Sequence, residues 1–407
     1  MLDHTLFDER PESQDRAIKV LERLGYQYIP RSQAEILRGR LANVLFTEVL
    51  HEFLHRQSFF YRGKQTPFSG RSIGKAINDI DASLVSGLMS ASKTIYDMLL
   101  AGNSYEEELF DGGRQSFDLK YIDWGRPENN IWQVTDEFSV ERPNGKYARP
   151  DIVLLVNGIP LVVIECKKSS VDVEEGVGQN VRNWQPQYIP HLFKFAQIVM
   201  AMNANHVKYG TCGTPSEHFS VWRERDYQWQ QEKCHNVSPD DRIIEQDRAI
   251  VSLLSRERLL EMIRYFILYD NNVKKIARYQ QFFGIQAAMR RIKGADDRNT
   301  RGGVIWHTQG SGKSLTMVML VKKIISDPEI RNPRFVLVND RINLDKQLRD
   351  NFAKTRLNPS RARTGKGLIQ LLNDKGETVI TTLVQKFDAA AKGRIRITDD
   401  NIFLLVE

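Results

Sequence analysis

The stretch ARPDIVLLVNGIPLVVIECKKS carries two carboxylates and a lysine around two apolar runs. Asp151 opens the first run, and Glu165 and Lys167 close the second. Residues i and i+2 of a strand share a face, so Glu165 and Lys167 point together while Cys166 points away. Asn157-Gly158, between the runs, is a strong hairpin signal. Whether Asp151 joins the other two depends on the loop. A two-residue turn pairs Val156 with Ile159 and leaves Asp151 opposite Ile164. A three-residue loop, Asn157-Gly158-Ile159, pairs Val156 with Pro160 and sets Asp151 opposite Glu165. The reading taken here is the three-residue loop, with both carboxylates on the face of Lys167 and open to solvent. Hard oxygen ligands of this kind favour Mg²⁺. A metal there would acidify a water and neutralise a scissile phosphate, and the lysine would stabilise the developing charge or orient the water. The chemistry is phosphodiester hydrolysis. The same residues also read as charges capping two strands at a sheet edge. Against that, Glu165 and Lys167 end an apolar run, where isolated surface charges are less expected.

A second constellation is Val304-Ile-Trp-His-Thr-Gln-Gly310-Ser311-Gly312-Lys313-Ser314. Glycines let backbone N–H groups close around phosphates, and a helix N-terminus adds positive potential. Gly310, Ser311 and Gly312 would form the cradle. Lys313 would contact the β- and γ-phosphates, and Ser314 would ligate Mg²⁺. The strict phosphate-loop pattern has Gly where this chain has His307.

The surrounding pattern supplies the elements that position these groups. Ala17, Val20, Leu21 and Leu24 recur at helical spacing before Gly25. A longer helix is predicted over Ala34–Gln57. From Phe117 to Lys168 short apolar runs predict strands, including Trp132–Val140, Asp151–Val156 and Leu161–Cys166. Residues 223–245 are polar and read as a surface connection, and helical spacing resumes from Leu253 to Phe266. After the loop RIKGADDRNTRGG, strands are predicted at Val304–Trp306, Phe335–Val338, Thr378–Thr382 and Ile402–Val406, with a helix from Lys313 to Ile325. Buried strands alternating with helices signal a parallel α/β domain.

Composition agrees with a folded protein of several domains. Of 407 residues, 41% are hydrophobic and 27% charged, which excludes bulk disorder. The net charge of +7 permits binding to a phosphate backbone without demanding it. Cys166, Cys212 and Cys234 are too scattered for a disulfide framework or a zinc ribbon. The polar N-terminus is no signal peptide, and no apolar run reaches membrane-spanning length. A soluble, cytoplasmic protein is expected.

Asp151, Glu165 and Lys167 resemble the PD-(D/E)xK nuclease signature. The wider segments FDLKYIDWGRPENNIWQVTDEFSVER, VNGIPLVVIECKK and YGTCGTPSEHFSVW resemble the N-terminal region of type I restriction enzyme R subunits. Their combination is far more specific than any single motif, and the resemblance covers essentially the whole chain. The loop around Lys313 resembles motif I of superfamily 2 helicases. Arg278 and Gln281 resemble an Arg-x-x-Gln element whose glutamine reads adenine, although a polar helix start has the same look. Val338-Asn339-Asp340-Arg341 with Gln347 resembles motif Ia. Thr381-Thr382 with Gln385-Lys386-Phe387 resembles the next DNA-contacting segment. Glu407 occupies the first position of the acidic box, where the family usually has Asp. N-terminal helices of such nucleases often carry an active-site acid, which brings in Glu12-Ser13-Gln14. A Gln-x3-Tyr element is common on the following helix. Here Gln179 is followed by Asn183 and Gln185 by Ile189, so that element is absent in its usual spacing, and Gln179 remains a candidate without it.

The resemblance implies an α/β protein: a PD-(D/E)xK endonuclease domain (1–245), a helical connector with the adenine segment (246–293) and a partial first RecA-like motor lobe (294–407). The implied activity is that of a type I site-specific deoxyribonuclease, an Mg²⁺-dependent endonuclease coupled to ATP-driven translocation of double-stranded DNA, with an ATPase incomplete in this chain. The implied partners are methyltransferase and specificity subunits, with S-adenosylmethionine entering only through the methyltransferase. Two rivals stand beside it: a stand-alone superfamily 2 nuclease-helicase, and a non-catalytic fragment that binds DNA or partners.

Overall fold

The computed structural model describes residues 13–270, 272–294, 301–339, 352, 359–374, 376, 378–386 and 401–406. Glu12, Asp340, Arg341, Gln347, Phe387 and Glu407 therefore lie outside the described residues. The chain divides into two compact units, Met1–Arg264 with Asn272–Arg278, and Tyr265–Asn271 with Tyr279–Glu407.

The first unit opens with helix α1 (Ser13–Arg23) and strand β1 (Gln27–Ile29). Ala17, Ile18, Val20 and Leu21 form the buried face of α1. Its polar face is tied down by Arg16, which pairs with Asp247 at 2.7 Å and Asp240 at 2.8 Å. The helix predicted over Ala34–Gln57 is broken into Arg31–Arg38 and Thr47–His55. Gly39 stops the first piece with φ +69°, a conformation that costs glycine nothing. Strands β2 (Trp132–Asp136), β3 (Val140–Glu141), β4 (Tyr147–Ala148), β5 (Ile152–Val156) and β6 (Ile159–Cys166) follow. Helix α2 (Val173–Asn183) and strands β7 (Ile198–Met202) and β8 (Val207–Gly210) complete the site-bearing part. The polar stretch read as a surface connection contains a helix, Tyr227–Val237, whose buried Gln230, Cys234 and Val237 face inward.

Six strands make one mixed sheet in the order β1-β2-β5-β6-β7-β8. The β1/β2 and β6/β7 pairs are parallel, and the others are antiparallel. Strands β5 and β6 lie at its centre, and every residue from Ile152 to Glu165 is buried. Burial on both faces is why both strands read as continuous apolar runs rather than alternating ones. Each such Val, Leu or Ile contributes roughly 1.5–3 kcal/mol on burial. The functional groups sit where this run ends.

The second unit contains helices α3 (Tyr279–Gly294) and α4 (Lys313–Ile325), strand β9 (Arg334–Asn339), strand β10 (Ser360–Arg361), helix α5 (Gly365–Asn373), and strands β11 (Val379–Leu383) and β12 (Ile402–Val406). Its sheet has the order β10-β11-β9-β12 and every pairing is parallel. Val336 and Val338 of β9 pack with Leu368, Leu372 and Ile380. Buried Arg334 donates to the carbonyls of Leu371, Leu372 and Asp374, neutralising the C-terminal end of α5. The strand predicted at Val304–Trp306 is not formed. Val304 is 88% and Trp306 90% exposed. This three-residue apolar run follows Gly302-Gly303, and among the described residues no strand pairs with it.

Candidate active site

The hairpin that brings the carboxyl groups together differs from the expected one at its turn. Asn157 and Gly158 take φ of +54° and +79°, the left-handed pair that a two-residue turn requires. Ile159 pairs with Val156 and Pro160 with Leu155, so the three-residue loop does not occur. The register then shifts between Pro160 and Val162, and Val162 pairs with Leu154, Val163 with Val153 and Ile164 with Ile152. Continued by one residue, this register sets Glu165 across from Asp151. A β-bulge thus supplies the extra residue that the sequence reading assigned to the loop. The tight turn holds because Asn157 satisfies its whole surroundings. Its Oδ1 accepts from the Ile131 amide at 2.7 Å, and its Nδ2 donates to Tyr121 O at 2.9 Å and Asn130 Oδ1 at 2.8 Å.

At the far end of the hairpin, Asp151 Oδ2 accepts from the Cys166 amide at 2.6 Å. The Asp151 carbonyl accepts from the Gln14 side chain at 3.1 Å and the Glu137 amide at 2.9 Å. Helix α1 therefore does reach this place, through Gln14. Glu165 is 0% exposed. Its Oε1 accepts from Asn183 Nδ2 at 3.1 Å, and its Oε2 has no hydrogen-bond partner. Lys167 Nζ donates to Gln179 Oε1 at 2.7 Å. Gln179 and Asn183 are one turn apart on α2, so a single helix face meets both Lys167 and Glu165.

Glycine 176 allows that approach. A Cβ there would lie 3.1 Å from Ala201 Cβ and 3.6 Å from both Glu165 Cβ and Lys167 Cγ. The expectation that the carboxylates stand open to solvent fails for Glu165, because α2 closes over it. Asp151 and Lys167 are half-buried.

Burial pushes the Glu165 carboxyl well above the ordinary range, and the neighbouring charge of Asp151 pushes it further, against the pull of Lys167. Asp151 is also raised, chiefly by burial, with the Cys166 amide and Lys167 opposing. Two carboxyls confined together resist ionising at once unless positive charge joins them. A divalent cation fits that demand, and Glu165 Oε2, which accepts from no donor, is available to it. Among the described residues no group of three or more His, Cys, Asp or Glu forms a metal cage. A cation here would complete its shell with water or substrate oxygens, as Mg²⁺ commonly does.

Sequence reasoning singled out Gln14 and Gln179 but missed Asn183 and Gly176. Asn183 follows Gln179 by four residues, and that helical spacing was the available signal.

In the second unit, Gly310 and Gly312 take φ of +77° and +82°, and Lys313 begins α4. The left-handed backbone at Gly312 lets Ser311, Lys313 and Ser314 follow a tight turn into a helix N-terminus. The Ser311 hydroxyl and His307 Nδ1 are buried without a hydrogen-bond partner. Gln281 Nε2 donates to Gly312 O at 3.1 Å and to Thr316 Oγ1 at 3.3 Å. A Cβ at Gly312 would come within 2.9 Å of that amide. Arg278 belongs to the first unit.

Residues 7–218 match the family described as "Type I restriction enzyme R protein N terminus". This chain belongs to that family. Residues 280–407 match a second family, the SWI2/SNF2 ATPases. The chain is 29% identical to the type I restriction enzyme HindI endonuclease subunit of Haemophilus influenzae, over 90% of this chain and 35% of that protein. It is 27% identical to the putative type I restriction enzyme MjaIXP endonuclease subunit of Methanocaldococcus jannaschii, over 97% of this chain and 39% of that protein. The chain thus spans between a third and two fifths of the length of these relatives. Among the described residues no helix is long and apolar enough to cross a membrane.

Proposed function

We propose that this chain is the nuclease and first motor segment of a DNA-cleaving subunit in a type I restriction system. The observation that carries this reading is the closure of Asp151, Glu165 and Lys167 into one cluster. A buried, unpartnered carboxylate oxygen lies at its centre. In this reading residues 1–245 form a PD-(D/E)xK endonuclease domain, 246–293 a connector, and 294–407 part of a RecA-like lobe. The family match and the relatives' names support the restriction role.

Asp151 and Glu165 would hold Mg²⁺, which when bound supplies an acidified water and neutralises phosphate charge. Asn183 fixes one Glu165 oxygen, which would leave the other free to hold the cation. The Cys166 amide does the same for Asp151. Lys167, held by Gln179, would stabilise the charge that develops on the scissile phosphate. In the second unit Gly310, Ser311 and Gly312 would cradle ATP phosphates. Lys313 would contact the outer phosphates, and Ser314 would ligate their Mg²⁺. Gln281 would complete the nucleotide site within that unit. Double-stranded DNA is the substrate, and methyltransferase and specificity subunits are the partners, the former carrying S-adenosylmethionine. The cytoplasm is the setting.

The test is made in the complete enzyme. Asp151→Ala, Glu165→Ala and Lys167→Ala should each abolish DNA cleavage and leave ATP hydrolysis largely intact, because the two clusters lie in separate compact units. Normal cutting by the Lys167→Ala enzyme overturns the assignment.

A further inference from the structure

Strands β3 and β4 form a small hairpin, Val140 pairing with Ala148 and Glu141 with Tyr147. Its turn is tightly closed. The Gly145 amide donates to Arg142 O at 2.9 Å, the Arg142 amide to Lys146 O at 2.7 Å, and the Lys146 amide to Asn144 Oδ1 at 3.1 Å. The hairpin is rooted on both sides. Glu141 N donates to Leu41 O at 3.1 Å, and Phe138 N donates to Pro150 O at 3.0 Å. The last of these residues precedes Asp151, so the hairpin runs directly into the carboxyl cluster.

Beside one half-buried acid, Glu141, the hairpin and its exit carry Arg142, Lys146, Tyr147 and Arg149. Lys146 and Arg149 are exposed, and Tyr147 is 54% exposed. The Arg142 guanidinium lies 4.0 Å from the Tyr188 ring centre, and Arg182 approaches the same ring at 5.6 Å. Arg142 Nε also donates to Gln187 O at 3.4 Å, which fixes the plane of the guanidinium. Arg149 pairs with Glu137 at 3.0 Å. Among the described residues Arg142, Lys146 and Arg182 make no ion pair, so two guanidiniums share one ring with no carboxylate between them. Ordinary surfaces intersperse the two signs of charge. Positive potential held beside a phosphodiester site, on a rigid element with aromatic support, is the chemistry that recognises phosphate oxygens.

We propose that the β3–β4 hairpin, through Arg142 and Lys146, is a docking surface for the phosphate backbone of duplex DNA. The proposal rests on the nuclease reading of the neighbouring cluster. Lys146 precedes Asp151 by five positions, so the chain between them spans at most about 16 Å at ~3.3 Å per residue. At ~3.4 Å per nucleotide along one strand, the hairpin would meet the backbone within about five nucleotides of the cut. Contacts of this kind carry no base specificity and set register instead.

The experiment measures binding of this 407-residue chain to a short duplex by fluorescence anisotropy, without divalent metal so that no cleavage intervenes. Each phosphate contact contributes about 0.9 to the slope of log affinity against log salt. The Arg142→Gln/Lys146→Gln protein should therefore show a slope shallower by about 1.8. The affinity lost over a fourfold rise in salt should be about tenfold smaller than in the wild type. Lys146→Glu alone changes one exposed side chain and should weaken binding in the same direction. Slopes and affinities unchanged in both variants overturn the proposal. Equal effects on a single strand overturn the duplex assignment. Loss of association with the methyltransferase–specificity core at unchanged DNA slope makes the hairpin a protein-binding surface instead. Cleavage by the complete enzyme separates the two readings. Normal cutting with unchanged slopes sinks the hairpin proposal alone. A hairpin-dependent slope in an enzyme whose Lys167→Ala form cuts normally sinks the nuclease assignment alone.

Discussion

Asn183 donates its side-chain amide to Glu165 Oε1 at 3.1 Å, while Glu165 Oε2 stays buried with no hydrogen-bond partner. The bond fixes the rotation of a carboxylate that the rest of its pocket does not hold. Asn183→Ala should therefore leave the protein folded but weaken divalent cation binding about 10–100-fold, the usual effect of losing a group that orients a metal ligand. Titrating Mg²⁺ against cleavage by the complete enzyme checks this. The half-saturating Mg²⁺ concentration should rise, with cleavage recovering at high Mg²⁺. An unchanged Mg²⁺ dependence would show that Asn183 only packs.

What could be read from the residues alone follows what the residues determine locally. Two continuous apolar runs around Asn157-Gly158 identify buried strands and a turn, because burial on both faces leaves no polar alternation. The bulge between Pro160 and Val162 has no such mark. It depends on how β6 meets β5 and β7 at once, a tertiary condition. The pairing of Asp151 with Glu165 was therefore reached with the wrong loop. Asn183 was read only as a departure from the Gln-x3-Tyr spacing, because an asparagine on a helix is usually a surface residue; here Gly176 packs close to Ala201 and the face that carries Asn183 is buried. The Val304–Trp306 run failed in the opposite sense, since apolar residues become a strand only where another strand can pair with them.

Gly158 offers a test of the turn itself. Its φ is +79°, and a Cβ would lie 2.4 Å from Phe46 O. Two penalties coincide there, left-handed backbone and a clash with main chain that cannot swing away. Gly158→Ala should destabilise the first unit by about 1–3 kcal/mol. Urea unfolding followed by tryptophan fluorescence reads the loss directly. A variant as stable as wild type would mean that the turn relaxes away from Phe46.

Lys274 sets a pH dependence. It is fully buried, donates to Ala196 O at 2.9 Å and Ser92 Oγ at 3.3 Å, and burial lowers its pKa to about 8. The group is lowered rather than raised, so the unfolded chain binds more protons than the native one between pH ~8 and ~10.4, and stability rises across that window. The gain is about 3 kcal/mol for a shift of this size. Nearby Cys212 and Tyr96 are both raised by burial and act in the opposite direction at alkaline pH. A difference measurement removes them. The stability of wild type minus that of Lys274→Met should climb between pH 7.5 and 10, by urea unfolding at each pH. A flat difference would show that Lys274 already titrates like an exposed lysine.

Gln281 poses the sharpest choice in the second unit. Resemblance gives its side chain to the adenine ring, whereas the structure engages it on Gly312 O and Thr316 Oγ1. A glutamine that reads the base discriminates ATP from GTP, because the two rings present opposite donor and acceptor edges. A glutamine that braces the glycine loop supports every nucleoside triphosphate alike, since the loop touches only phosphates. Losing two hydrogen bonds of about 1 kcal/mol each weakens binding roughly thirtyfold. The bonds at Gly312 and Thr316 lead to the second outcome. In the complete enzyme Gln281→Ala should raise the half-saturating concentrations of ATP and GTP by the same factor of about thirty. Lys313→Ala, run in parallel, should remove hydrolysis of both. Steady-state hydrolysis with each nucleotide in the presence of duplex DNA decides the matter. A loss confined to ATP would return Gln281 to base recognition and make its bond to Gly312 a feature of the nucleotide-free loop.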